Sequence, residues 1–437
     1  MDVVIRPSAG LSGELMIPAD KAICHRAALV SALAEGATTI GPWADAEDVE
    51  RTLDVLRGLG IAVRRRGRFV RIEGRGLVAP RAALGCGESG TTMRLSCGLL
   101  SGQPFNSRLS ARGSLRNRPM RRIIEPLSRM CAAITGQRAL AEICPPLVVR
   151  GRRPLRSIAY AMPVASAQVK SAILLAGLFA DGPTAVTEPI PTRDHTERML
   201  RAAGVSVRRR GRAVIVTPPR RRLRLPPRLV IPGDFSSAAF FIVAASLVPG
   251  SQLLLRDVGF NPTRTHLLAV LRRMGAVIRV VERYRDWEPR GAVAVAHRPL
   301  RATTISASEA ARMIDEVPIL MVAAAAARGR TVIRGLKELE VKESDRLRVM
   351  AQGLSSMGIR ISVTSGADVQ IEGGQLRGAL LDSAGDHRMA MSFAVAGLVA
   401  GAGSTRIRGA ECVRKSFGDF FELVGRAAGA GCVVKSG

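Results

Sequence analysis

The hydrophobic and polar positions of this chain follow one pattern six times: a short polar turn, a helix-length run of small apolar residues, a glycine-bearing turn, then a strand-like run. The polar turns open at Pro18 ("PADKAICHR"), Cys86 ("CGESGTTMR"), Ser166 ("SAQVKS"), Pro232 ("PGDFSSAAF"), Ile314 ("IDEVPIL") and Gly385 ("GDHRMAMSF"). Each leads into an Ala/Leu-rich stretch such as "AILLAGLFADGPTAV", which predicts a helix and then a strand. Beyond that strand the period changes. "DVERTLDVLRGLG" spaces its apolar residues as an amphipathic helix does, and "IAVRRRGRFVRIEG" after it alternates in period two about a Gly turn. "DHTERMLRAAG" with "VSVRRRGRAVIVTP", and "SDRLRVMAQGLSSMG" with "IRISVTSGADVQIEG", repeat that plan. Every unit reads β-α-β-α-β-β, one supersecondary element copied along the chain.

A chain of 437 residues exceeds what a single core usually organises, so two domains are expected. Three units fit in residues 18–229 and three in 230–437. The Pro/Arg run 217–228 ("TPPRRRLRLPPR") suits a crossover between them, and the opening strand in residues 1–17 is expected to join the second domain. The predicted class is α/β: two similar domains of three βαβαββ units with a cleft between them. The residues just before each apolar helix then lie at a helix N-terminus, where free N–H groups and the dipole favour anions. Several helix starts directed at one cleft would suit highly charged anionic substrates.

Composition narrows the choices. Apolar content is 47% but aromatics only 3%, so the core is built of Ala, Val, Leu and Ile. The net charge of +29 could mark a nucleic-acid partner. Of 65 basic residues, however, 59 are Arg, spread through strand-like stretches without the aromatic interleaving of a base-stacking surface. Substitution bias toward Arg explains the charge better than a polyanion partner. The six Lys (21, 170, 337, 342, 415 and 435) then mark places where a compact ammonium is needed, and five lie in or beside the turn motifs. Seven Cys with no CxxC pair or metal-ligand spacing imply a reduced, cytoplasmic setting and no metal. No targeting or membrane-spanning segment is expected, nor a nucleotide cofactor, since no Walker run or GxGxxG follows a strand. His25, His195 and His387 read as hydrogen-bonded scaffold.

Taken together the turns resemble those of the 5-enolpyruvylshikimate-3-phosphate synthase family of enolpyruvyl transferases. "PADKAICHR" is similar to PGDKSISHR, and "GESGTTMRL" to GNSGTTMRL; "SLRNRPM", "SAQVKSAILLAGL", "TRDHTERML", "PGDFSSAAF", "NPTR", "IDEVPIL", "VKESDR" and "DHRMAMSF" match with few or no changes, in order, over nearly the whole chain. The resemblance implies an inverted α/β barrel in each of two domains, an active site in the cleft between them, no cofactor, and a monomer. It also implies two small-molecule substrates, shikimate 3-phosphate and phosphoenolpyruvate. Lys21, Gly90, Arg118, Gln168, Arg346, Arg388 and Lys415 fall at the family's phosphoenolpyruvate positions. Lys21, Ala22, Arg26, Ser166, Ala167, Gln168, Arg193, Asp315 and Lys342 fall at those for shikimate 3-phosphate. Asp315 would take the hydroxyl proton, and Glu343, with Lys21, would deliver one to the methylene carbon. Lys342 would help keep Asp315 ionised.

The chain departs from the family pattern in its site. Ala19 replaces a Gly, and Ala22 and Cys24 replace two Ser, the first of which contacts the shikimate phosphate in the family; weaker substrate affinity is expected. Glu88 stands for Asn and Arg112 for Asp, which suggests an ion pair exchanged between them. Glu340 for Arg and Gly418 for Pro are further changes. The competing readings are enolpyruvyl transfer to UDP-N-acetylglucosamine, which "KESDR" and "SAQVKS" disfavour, and a weakened relative that binds nucleic acid through its basic surface.

Overall fold

A computed structural model describes residues 1–139 and 142–436. The chain forms two compact units, one made of Met1–Pro18 with Pro232–Gly437 and the other of Ala19–Ile231.

Each unit is built the same way from three four-stranded sheets and three core helices. In Ala19–Ile231 the helices are Lys21–Leu33, Gly90–Ser101 and Ala167–Gly177; in the other unit they are Phe235–Leu247, Val317–Ala325 and His387–Val399. All thirteen residues of Phe235–Leu247 and all nine of Val317–Ala325 are buried. The remaining helix of each βαβαββ unit is amphipathic and covers the outside, as Glu47–Gly58 does with Val49, Leu53 and Leu56 inward and Glu50 and Arg57 outward. Five of the six core helices are capped by a side chain: Asp20, Ser89, Ser166, Asp234 or Asp386 accepts a backbone N–H of the first turn.

The sheets share one order, in which a parallel outer pair is followed by an antiparallel hairpin. Thr304–Ile305 runs parallel to Arg330–Ile333, which pairs antiparallel with Val369–Glu372, and that strand with Arg360–Val363. The other units repeat this order with strands borrowed from afar. Arg228–Val230 lies parallel to Gly36–Gly41 and completes the first unit's sheet. Ser12–Met16 completes the fourth beside Gln252–Gly259. Asp2–Ile5 enters the middle of the sixth, antiparallel to both Thr405–Arg408 and Val433–Ser436, with Val3 and Ile5 fully buried. The Pro/Arg run 217–228 does not bridge the units. It lies along the first repeat, where Leu223 O accepts from Glu35 N at 2.7 Å and Pro227 O from Thr39 N at 2.9 Å, and the chain changes unit between Ile231 and Pro232. Burial of Leu223 and Leu229 anchors it there.

Close approach fixes two glycines in equivalent places. A Cβ on Gly74 would sit 1.8 Å from Ala34 O, and one on Gly373 1.5 Å from Ala327 O. In both units the hairpin passes directly over the carbonyl end of the core helix, which only a residue without Cβ permits. A cluster of five Phe (240, 241, 417, 420 and 421), with centroids 5.3–6.0 Å apart, gathers nearly half of the chain's eleven in one place. All seven cysteines are free, and among the described residues no helix is long and apolar enough to cross a membrane.

A buried hydroxyl chain ties three helices of Ala19–Ile231 together. His25 Nδ1 lies 2.6 Å from Thr52 Oγ1, Thr52 Oγ1 lies 2.8 Å from Thr92 Oγ1, and Thr92 Oγ1 bonds Ser89 Oγ at 2.8 Å. Burial pushes the His25 imidazole down from 6.5 to about 3, so the ring is neutral. Because the folded value lies below the unfolded one, this group's contribution is complete above pH 6.5. It falls by about 1.4 kcal/mol per pH unit as the pH drops toward 3. In a carbon-13 titration of the five imidazoles, one resonance, absent in His25→Gln, is expected to stay neutral at pH 5; protonation of that ring near pH 6.5 would contradict the assignment.

Candidate functional site

The residues singled out from sequence are shared between the two units, and about half of them, Lys21, Gly90, Gln168 and Arg388 among them, stand at the start of a core helix. In Ala19–Ile231, Lys21 is the first residue of its helix, and its Nζ lies 3.0 Å from Asp48 Oδ2 at the start of Glu47–Gly58. One turn on, Arg26 is buried and its guanidinium makes three hydrogen bonds: Nη1 donates to Ala22 O at 2.7 Å, Nε to Thr196 Oγ1 at 2.7 Å and Nη2 to Ser171 Oγ at 2.9 Å. Ser166 caps the third helix, and Ala167 and Gln168 form its first turn.

Gly90 opens the second helix. Gln168 Oε1 accepts from Arg94 Nη1 at 2.8 Å, and Gln168 Nε2 donates to Thr91 Oγ1 at 2.9 Å, so the second and third helix starts are laced together. A Cβ on Gly90 would fall 2.7 Å from Arg94 Nη1 and 3.0 Å from Arg118 Nη1. The glycine therefore leaves room for two guanidinium groups. Arg118 follows the 3-10 turn Gly113–Asn117, and Arg193 sits two residues before the helix His195–Ala202.

In the other unit the centre is Arg346, 1% exposed and the first residue of Arg346–Ser356. Its Nε donates to Asp386 Oδ2 at 2.8 Å, its Nη1 lies 3.4 Å from Asp315 Oδ1, and its Nη2 donates to Glu343. Burial works against the charge, but Glu343, Asp386 and Asp315 outweigh it and raise the arginine's pKa further. Burial would likewise push the Asp386 carboxyl up, yet Arg346 holds it below the usual carboxylate range. Asp315 is ringed by cations: besides Arg346, Lys342 Nζ stands 3.9 Å from Oδ1 and Arg388 Nη2 4.0 Å from Oδ2. Arg388 also donates to Asp315 O at 2.7 Å, which couples two helix starts. Lys415 ends the 3-10 turn Ala410–Lys415, which packs on the helix of Arg388 and is tied by Cys412 Sγ to Ser383 Oγ at 3.7 Å.

Four acids compete for the role of helix cap, and the structure separates them. Asp345 caps Arg346–Ser356 by accepting from Arg348 N at 3.0 Å. Glu316, at the cap position of Val317–Ala325, makes no cap bond and instead accepts from Ser236 Oγ. Asp315 and Glu343 face Arg346. The suggested Glu88–Arg112 pair is corrected: among the described residues Arg112 makes no such contact. Its side chain is exposed, its N–H bonds Gly87 O at 2.7 Å, and Glu88 accepts from Ser114 Oγ at 3.0 Å and packs over Gly113. Cys24 is wholly buried in its helix, whereas Ala22 is half-buried with its N–H held by Asp20 at 2.7 Å. Glu340 is exposed. Sequence reasoning missed Asp48, Arg94, Thr196 and Asp386 as site-shaping residues. Asp48 stands at a helix start one position from Glu47, and nothing in that stretch distinguishes a lysine partner from an ordinary first-turn acid.

The comparisons with known proteins agree with one another. The sequence profile of EPSP synthase (3-phosphoshikimate 1-carboxyvinyltransferase) matches residues 5–424. The chain is 44% identical over 431 residues to the 3-phosphoshikimate 1-carboxyvinyltransferase of Geobacter metallireducens, covering 97% of this chain and 98% of that one. It superposes on the EPSP synthase of Acinetobacter baumannii with a TM-score of 0.88 at 40% identity, covering 99% and 100% of the two chains. At 18% identity it matches the enolpyruvyl transferase NikO of Streptomyces tendae with a TM-score of 0.78, covering 100% and 98%, a likeness of fold. With the profile spanning almost the whole length and these relatives covered nearly end to end, the chain belongs to the EPSP synthase family.

Proposed function

We infer that the protein transfers the enolpyruvyl group of phosphoenolpyruvate to the 5-hydroxyl of shikimate 3-phosphate. The products are 5-enolpyruvylshikimate 3-phosphate and phosphate, on the route to chorismate and the aromatic amino acids. The observation that carries this reading is the sharing of Arg346 by Asp315 and Glu343, the two carboxylates at the family's proton-transfer positions. Neither UDP-N-acetylglucosamine nor nucleic acid is favoured as a partner.

The chemistry follows from the charges. The substrates together bear two phosphates and two carboxylates, which Arg forks and ammonium groups must offset. Lys21, Arg118, Arg346, Arg388 and Lys415 hold phosphoenolpyruvate, with Gly90 leaving space and Gln168 touching both substrates. Arg26, Ser166, Ala167, Arg193 and Lys342 hold the shikimate phosphate and ring. Asp315 takes the proton of the 5-hydroxyl as its oxygen bonds to C2 of phosphoenolpyruvate, and Glu343, with Lys21, protonates C3. The adduct then loses phosphate as C3 gives its proton back. One guanidinium between base and acid lets each change of charge on one carboxylate be felt by the other. The Lys342 and Arg388 cations keep Asp315 ionised and so able to accept. No cofactor or metal enters the scheme, and a cytoplasmic monomer is the setting we propose.

Phosphate release that requires both substrates is the direct test; release from phosphoenolpyruvate alone, or none at all, would sink the reading. Arg346→Met leaves Asp386 buried without its counter-charge and is expected to cost about 3–5 kcal/mol of stability, read from denaturant unfolding, together with loss of turnover. Unchanged turnover would remove Arg346 from the site. Ala22→Ser restores a hydroxyl at a half-buried helix start and is expected to lower the KM for shikimate 3-phosphate about tenfold while leaving that for phosphoenolpyruvate within about twofold. An equal effect on both would show that position 22 does not face the shikimate phosphate.

A further inference from the structure

Among the described residues Lys170 is the one lysine that is wholly buried. It lies one turn into Ala167–Gly177, just beyond Ser166, Ala167 and Gln168, and is itself assigned to neither substrate. Its Nζ has three oxygens around it: a Glu197 carboxylate oxygen at 2.7 Å, a Glu188 carboxylate oxygen at 3.0 Å and the carbonyl of Thr192 at 3.3 Å. An ammonium carries three N–H donors, so the number of neighbours matches its capacity. An arginine fork spreads its donors over a longer planar group and fits a pocket of this kind poorly, which gives a reason for a lysine in so arginine-rich a chain.

Glu188, itself 0% exposed, closes the ring: its carboxylate accepts from Thr192 N at 2.9 Å and from the Thr192 hydroxyl. The N–H, C=O and O–H of Thr192 are thereby all tied to the Lys170–Glu188 pair. Thr192 is the residue immediately before Arg193. On the far side of Arg193 the chain is pinned again, because Thr196 Oγ1 accepts from Arg26 Nε at 2.7 Å and lies 2.7 Å from Ser171 Oγ. Asp194 accepts from Arg198 Nε at 2.9 Å. We propose that Lys170 is a positioning residue for shikimate 3-phosphate: through Thr192 it fixes the backbone that carries Arg193, and so sets affinity for that substrate without touching it.

This rests on the functional reading above. Stability alone is a weak reason for such a cluster, since well-packed apolar residues commonly do as well as buried ion pairs. Burial pushes the Glu197 carboxyl up, against the pull of Lys170.

The test uses the full-length protein and four variants: Lys170→Met, Lys170→Arg, Thr192→Val, and Lys170→Met with Glu197→Gln, which leaves the cluster's formal charge as in the native chain. The KM for shikimate 3-phosphate is expected to rise about tenfold in both Met variants and about threefold in Thr192→Val, with kcat and the KM for phosphoenolpyruvate within about twofold. Lys170→Arg, which keeps the charge, is not expected to restore it. Hydrogen exchange of residues 188–194 without substrate is expected to quicken about tenfold in the Met variants. If Lys170→Met alone does not fold, the double variant and Thr192→Val decide the matter. Folded variants with native KM and native exchange would overturn the proposal. Should the native chain fail to turn over both substrates, the functional reading falls by itself, and exchange in residues 188–194 still decides whether Lys170 clamps the Arg193 segment.

Discussion

Burial of the six core helices over most of their length is the constraint from which the rest follows. A helix with no face toward water can carry a polar side chain along its length only where buried partners satisfy it, as they do Arg26 and Lys170, and its remaining contact with solvent is at its ends. At the carbonyl end the hairpin of the same unit crosses so closely that Gly74 and Gly373 are required. The N-terminal ends are left, and there the caps and charged residues collect: Asp20 and Lys21, Ser89 and Gly90, Ser166 and Gln168, Asp234, Asp315 and Glu316, Asp386 and Arg388. The family's motifs are thus the sequence of six helix starts, each with an anion-favouring dipole behind it.

Most of the architecture was readable for the same reason. Runs of Ala and Leu bounded by polar turns gave the core helices, because nothing else places thirteen buried residues in a row, and period-two alternation gave the hairpins. What could not be read was which strand completes which sheet. Asp2–Ile5 lies between two strands more than 400 residues away in sequence, and Arg228–Val230 returns to the first unit instead of leading out of it. Local pattern says that a stretch is a strand; register depends on partners that only folding brings near.

The site was legible by residue type and less so by partner. Arg346, Asp315 and Glu343 were chosen through motif resemblance, and their direct contact is a property of the fold. The Glu88–Arg112 exchange failed because charge symmetry in a sequence does not ensure that side chains point at each other: Glu88 turns to Ser114 and Arg112 stays in water. Lys170 shows the opposite error. It stood out only as one of six lysines, since Glu188, Thr192 and Glu197 follow it by 18 to 27 positions and none carries a signal alone. In a chain where nearly every basic residue has become arginine, the surviving lysines reward attention to geometry more than to charge.

The central claim, that the helix starts are where the substrates bind, is tested most directly by hydrogen exchange across the whole chain with and without shikimate 3-phosphate and phosphoenolpyruvate. The account predicts that slowing concentrates in the segments that open the core helices and in the turns around Arg118, Arg193 and Arg346. Slowing confined to the hairpins, or none at saturating substrate, would contradict it.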